Sequence, residues 1–206
     1  MKYDALIFDL DGTLVDNISI IAYAWKQIVK KHNWESFIDK NVIKSIMGLN
    51  PKEIGRILFP NDFEDVSTSK AIICIQEELD YLDSQMGHSY IDETTLKRLT
   101  DKTKLFIVSN CLDGYIEKYL KYYHFEKYFV ETVNSSNNNS KSDNIKYLMQ
   151  KYKLKNPMYI GDTIKDYEAA KQANIKFVYA AYGFGLLDYS EKINNIDELF
   201  TKFIDK

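Results

Sequence analysis

Cysteine is almost missing from this chain: Cys74 and Cys111 are its only two, far apart and without metal-ligand spacing. That excludes a disulfide scaffold and a thiolate metal centre as the basis of the fold, and it suits a reducing cytosol. No stretch approaches the roughly 20 apolar residues that a membrane span needs. The N-terminus carries no leader pattern, since Asp4 follows Lys2 after one residue and the apolar run behind it is short. These features lead us to expect a cytoplasmic protein with no membrane partner. Charge of one sign is also lacking: 27 basic against 30 acidic residues leave a formal charge of −3, and no basic arm or stripe invites nucleic acid. Histidine is sparse, and His32, His88 and His124 are scattered, as surface or helix-end residues are. There are no internal repeats.

What is present is core-forming material. With 45% hydrophobic residues among 206, the chain can bury a full α/β core and one smaller module. Residues 3–9 read as a buried strand by their short apolar run. A long helical stretch follows instead of a second strand. Ile18, Ile21, Ala22, Trp25, Ile28 and Val29 recur at helical spacing up to His32-Asn33. A second helix is expected over 36–47, ending at Gly48. Asn50-Pro51-Lys52-Glu53 is a helix start, with Asn at the cap and Pro at the first position. A longer helical pattern covers about 66–86. From about Ser89 strand-like runs alternate with helices: strands at 104–108, 128–130, 158–160 and 177–179, and helices near 113–123, 142–152, 165–174 and 196–204. This alternation predicts an α/β fold, a Rossmann-like parallel sheet with helices on both faces, interrupted by an inserted all-α module. Such sheets bind ligands beyond the carboxyl ends of their strands.

The chemistry gathers at those ends. Asp9-Leu10-Asp11-Gly12-Thr13-Leu14 follows the apolar run Ala5-Leu6-Ile7-Phe8. Two carboxylates this close repel one another, so a strand end has little structural use for them. Phosphoryl transfer does use such a pair, one acid as nucleophile and the other to carry a proton, with a cation to make the charge tolerable. Ser109-Asn110 ends the run Phe106-Ile107-Val108, where a hydroxyl and backbone N–H groups can hold phosphate oxygens without adding charge, although Ser-Asn is also an ordinary helix cap. Lys141 lies in the polar loop 134–142, and a fixed ammonium there would stabilise charge on a phosphoryl group in flight. Lys146 is the alternative. Gly161-Asp162-Thr163-Ile164-Lys165-Asp166 follows Pro157-Met158-Tyr159-Ile160, and two acids four apart beyond a strand suit a magnesium site shared with Asp9. A helix cap at Asp162 is the plainer reading of that segment.

Asp9-Leu10-Asp11-Gly12-Thr13-Leu14-Val15-Asp16 resembles the first motif of the haloacid dehalogenase-like hydrolase superfamily, within it the phosphoglycolate phosphatase-like and beta-phosphoglucomutase-like members. Ser109-Asn110, Lys141 and Gly-Asp-x-x-x-Asp resemble its second, third and fourth motifs in order. Ser142 departs from the Pro that often follows the motif lysine. The resemblance implies a core of residues 1–15 and 87–206 and a helical cap of 16–86 that closes over the substrate. It implies Asp9 as nucleophile, forming an aspartyl-phosphate, and Asp11 as acid and base. Ser109, Asn110 and Lys141 would bind phosphate. Mg2+ would be held by Asp9, Asp162, Asp166 and the backbone carbonyl of Asp11. The expected function is a magnesium-dependent phosphatase of a small phosphorylated metabolite, monomeric or a small homo-oligomer. A phosphomutase of the beta-phosphoglucomutase type shares the core chemistry. A non-catalytic phosphometabolite-binding protein would be expected to lack one of these acids. Asp11 argues against a dehalogenase. Tyr182-Gly183-Phe184-Gly185 resembles a glycine-bearing turn of the phosphoglycolate phosphatase-like group and is read as a loop near the site at most. The tyrosine-rich stretch 115–128 is read as core and helix surface.

Overall fold

The computed structural model describes residues 3–82, 85–135 and 139–205. In chain order it forms β1 (Ala5–Phe8), β2 (Val15–Asp16), α1 (Ile18–Lys31), α2 (Lys40–Ile46), α3 (Pro51–Leu58) and α4 (Glu64–Leu82). There follow β3 (His88–Ser89), α5 (Glu93–Thr100), β4 (Lys104–Val108), α6 (Tyr115–Tyr123), β5 (Phe129–Val133) and α7 (Lys141–Tyr152). The last elements are β6 (Pro157–Gly161), α8 (Ile164–Gln172), β7 (Lys176–Ala180) and β8 (Lys192–Ile193). They group into two compact units, Met1–Asp16 with His88–Lys206, and Asn17–Gly87. No helix among the described residues is long and apolar enough to cross a membrane.

The first unit is built on a six-stranded sheet of order β5-β4-β1-β6-β7-β8, each neighbouring pair parallel. Side chains alternate between the faces of a strand. Ile7 stands beside Phe106 and Tyr159, and Tyr159 beside Phe177, so one row of large side chains crosses the sheet. That row packs with Ile145 and Leu148 of α7 and with Ala169 and Ala170 of α8 in one core. The opposite set, Leu6, Phe8, Leu105, Ile107, Met158, Ile160 and Val178, is equally buried. Both faces are therefore covered, as an all-parallel sheet requires. Strand order reverses at β1: the chain passes outward to β4 and β5, then returns to the other side of β1 with β6. The crevice at such a reversal is where parallel sheets bind ligands, and Asp9 is the first residue beyond β1.

The second unit consists of α1 to α4. The residues expected at helical spacing on α1 are all buried. Asn50 and Glu53 form a reciprocal capping box at the start of α3, with Pro51 at its first position. α3 and α4 touch closely at Gly55, where a Cβ would lie 2.6 Å from the Ser67 backbone. The Trp25 indole donates to buried Glu78 of α4.

Several boundaries differ from expectation for identifiable reasons. α2 starts at Lys40 rather than 36, because the Asp39 carboxylate accepts the Val42 N–H and caps the helix there. α4 begins two residues early and ends at Leu82, while 83 and 84 lie outside the described residues. So do 136–138 of the loop 134–142. α6 begins at Tyr115, after Gly114 in the left-handed conformation. The final helix is a π-wound segment, Phe200–Ile204, in which the Asp205 N–H reaches back to the Phe200 carbonyl. The helix α5, capped by Asp92, is not among the expected elements, and the two-residue strands β2, β3 and β8 are too short to leave a periodic signal. Ile7 is fully buried at the centre of the sheet, so Ile7→Ala should lower stability by about 2–5 kcal/mol, measured by urea unfolding.

Candidate active site

Three acids converge beyond the carboxyl ends of β1 and β6. Asp9, Asp162 and Asp166 are buried, and each offers a carboxylate oxygen within 4.8 Å of the others. Asp9 leaves β1 while its N–H still pairs with the Ile160 carbonyl at 2.9 Å, which fixes its level against β6. The chain then turns sharply, with the Gly12 N–H on the Val15 carbonyl and the Leu14 N–H on that of Leu10. Gly12 has φ +81°, and a Cβ there would run into the Asp162 carboxylate at 2.6 Å from Cγ. Only glycine allows the loop bearing Asp11 to pass so close.

Lys141 opens α7, capped by the Ser140 hydroxyl on the Asp143 N–H. Its ammonium donates to Asp9 Oδ1 at 2.8 Å and to Asp166 Oδ1 at 2.6 Å, and all three residues are buried. Lys146 points elsewhere: it is half-exposed and lies 4.0 Å from Asp143. Ser142, in the position after Lys141, donates its hydroxyl to Gln172 of α8 at 3.1 Å.

Each acid has a distinct set of partners. Asp166 forms a capping box with Thr163, its Oδ2 accepting the Thr163 N–H at 2.9 Å and hydroxyl at 2.6 Å. Its Oδ1 takes Lys141 and, at 3.3 Å, the Tyr159 hydroxyl, which also donates to the Val108 carbonyl. Asp162 Oδ2 accepts the Phe184 and Gly185 N–H groups at 2.7 and 3.3 Å. Asp162 Oδ1 is buried with no hydrogen-bond partner. Such an orphaned buried oxygen is costly unless something else meets it. Asp11 is half-buried and accepts the Tyr115 hydroxyl on Oδ1 at 2.8 Å. Ser109 is buried at the end of β4, its N–H on the Val133 carbonyl. Asn110 is exposed, and its carbonyl accepts the Ser135 hydroxyl at 3.0 Å.

Burial dominates the electrostatics. It raises Asp9 above the carboxylate range, helped by Asp166 and opposed by Lys141. It raises Asp162 too, with Asp166 and Asp9 adding repulsion. Asp11 moves from 3.8 to about 7, chiefly by burial, against the Tyr115 hydrogen bond. Burial would lower Lys141, but Asp166 and Asp9 outweigh it and hold the ammonium well above its ordinary range. The donor set, three carboxylates with one bare buried oxygen and no thiol or imidazole among them, fits a hard divalent cation of the magnesium class.

Residues 6–180 match the sequence pattern of the haloacid dehalogenase-like hydrolases. The chain belongs to that family. A phosphoglycolate phosphatase of Aquifex aeolicus is 27% identical over 188 residues, covering 87% of this chain and 85% of that one. One from Vibrio parahaemolyticus is 26% identical over 191 residues, covering 87% and 84%. A predicted phosphatase from Clostridium acetobutylicum superposes over the full length of both chains with a TM-score of 0.80 at 24% identity, a likeness of fold.

Two groups in this hydrolase's site lie outside the sequence reading, the hydroxyls of Tyr115 and Tyr159, whereas the amides of Phe184 and Gly185 belong to the glycine-bearing turn expected near the site at most. The glycines of that turn allow its close approach, since a Cβ on Gly183 would lie 2.6 Å from Asp162 Oδ2. Asp9, Asp11 and Asp162 all stand above their unfolded values. The folded state therefore holds extra protons, and this contribution to stability is present at low pH and lost as pH rises through about 7 for Asp11. Metal-free protein should be more stable at pH 5 than at pH 8. Lys141→Met should cost about 3–5 kcal/mol at pH 8, where it strands buried charge, and less at pH 5. Urea unfolding in chelator at the two pH values measures both.

Proposed function

We propose that this hydrolase is a magnesium-dependent phosphatase that removes phosphate from a small phosphorylated metabolite through an aspartyl-phosphate on Asp9. The observation that carries this is the buried Lys141 ammonium 2.8 Å from Oδ1 of Asp9, the acid that Asp11 follows two residues later. An Asp9 oxygen attacks phosphorus as the ester P–O bond breaks, and Asp11 gives its proton to the departing oxygen. Asp11 then takes a proton from the water that attacks the acyl phosphate, so phosphate leaves and both acids return to their starting states. A value near 7 leaves Asp11 able to hold and release that proton at neutral pH.

Lys141 offsets the repulsion between Asp9 and an incoming phosphate, and Ser109 with Asn110 would hold its outer oxygens. Mg2+ would be held by Asp9, by the bare Oδ1 of Asp162 and by the Asp11 carbonyl. It would supply the positive charge that lets two anions approach. Asp166 contributes mainly by fixing Lys141, because both of its oxygens already accept hydrogen bonds. The helical unit Asn17–Gly87 serves in this reading as the cap that selects the substrate. The names of the Aquifex and Vibrio relatives make phosphoglycolate the first ester to try.

Purified protein should release phosphate from at least one member of a panel of phosphate monoesters, and chelator should stop it until magnesium is restored. Phosphate release from none would sink the reading. An isomer formed from a sugar 1-phosphate in place of free phosphate would turn it to a mutase. Asp9→Asn should abolish turnover, and Asp11→Asn should lower kcat by about 10²–10⁴, as steady-state kinetics would show.

A further inference from the structure

We infer that Tyr115 is a positioning residue that decides which oxygen of Asp11 carries the transferred proton. This rests on Asp11 as the acid and base of the proposed phosphatase. The Tyr115 phenol lies 2.8 Å from Asp11 Oδ1. An ionised carboxylate can only accept, so the phenol is the donor in that state. That hydrogen bond makes Oδ1 the less basic of the two oxygens, so a proton arriving on Asp11 is directed to Oδ2. The contact also holds the carboxyl rotamer, on a side chain carried by a short loop beyond the end of β1.

The platform for that hydroxyl is rigid. Tyr115 is the first residue of α6 and is buried, with Ile116, Tyr119 and Leu120 anchoring the same helix in the core. Gly114, at φ +86°, turns the chain immediately before it. One turn along, the Tyr119 hydroxyl meets that of Ser89 at 3.3 Å, which ties α6 to β3. α6 thus presents a fixed donor to a carboxyl that has to give and receive a proton in one direction. Tyr115 need not touch the substrate to matter. Without it Asp11 can rotate, and its proton can sit on the oxygen facing away from the leaving group.

The consequence depends on the leaving group. A 4-nitrophenolate departs without a proton, whereas an unsubstituted phenolate or an alkoxide needs one. The test is release of the phenol in a single turnover, before water attack, from 4-nitrophenyl phosphate and from phenyl phosphate. It uses the full chain with magnesium as wild type, Tyr115→Phe, Tyr115→Met and Asp11→Asn. Tyr115→Phe should slow phenyl phosphate by about 10–100-fold and 4-nitrophenyl phosphate by less than about 3-fold, with the concentration that gives half the maximal single-turnover rate unchanged for both. Tyr115→Met, which also lacks the hydroxyl, should show the same split. Asp11→Asn should show it more strongly. If Asp11→Asn slows both esters alike, Asp11 is not the acid and the underlying reading fails. If Asp11→Asn shows the split while both Tyr115 variants slow the two esters equally, or slow neither, Tyr115 is only structural and the proposal is overturned.

Discussion

The site depends on one ammonium. Lys141 sits between Asp9 and Asp166 with both contacts inside hydrogen-bond distance and all three side chains out of water. A carboxylate cluster of this kind would otherwise be intolerable, since desolvation and mutual repulsion act in the same direction on each member. The lysine offsets part of that negative charge, and the excess it leaves is what the proposed divalent cation would meet. Its own placement depends on the helix cap at Ser140 and on the Ser142 link between α7 and α8.

The acids then differ by what else they touch. Asp166 has both oxygens met by hydrogen bonds from Thr163, Tyr159 and Lys141. Asp162 is held on one oxygen by two backbone amides and bare on the other, which is the oxygen the proposed cation would meet. Asp9 shares one oxygen with Lys141, and Asp11 shares one with Tyr115. Four residues of nearly identical chemistry are set apart by their hydrogen-bond partners, and those partners come from β6, the turn before α8, α6, α7 and the loop after β7.

Much of this was legible along the chain. The short apolar runs before Asp9, Ser109 and Asp162 mark strands buried on both faces, and the turn residues behind them mark strand ends. The helical spacing from Ile18 to Val29 and the Asn50-Pro51 start were equally plain, because each is a local pattern with a local cause. What escaped was either too short for periodicity, such as β2, β3 and β8, or set by a single side chain. The late start of α2 is such a case, since Asp39 captures the Val42 N–H. Tyr115 and Tyr159 escaped for another reason. A tyrosine among apolar neighbours looks like core, and in both residues the ring is core while the hydroxyl makes a hydrogen bond to a site carboxylate.

The sequence by itself determined the alternation of strand and helix, the interruption after the first strand and the acids at the strand ends, since these follow from hydrophobic period and turn chemistry within a few residues. Only the tertiary structure decided which lysine meets Asp9, which oxygen of Asp162 stays bare and which hydroxyl reaches Asp11. Those pairings join residues 132, 22 and 104 positions apart. They exist because a parallel sheet with a reversal at β1 brings the carboxyl ends of separate strands to one place.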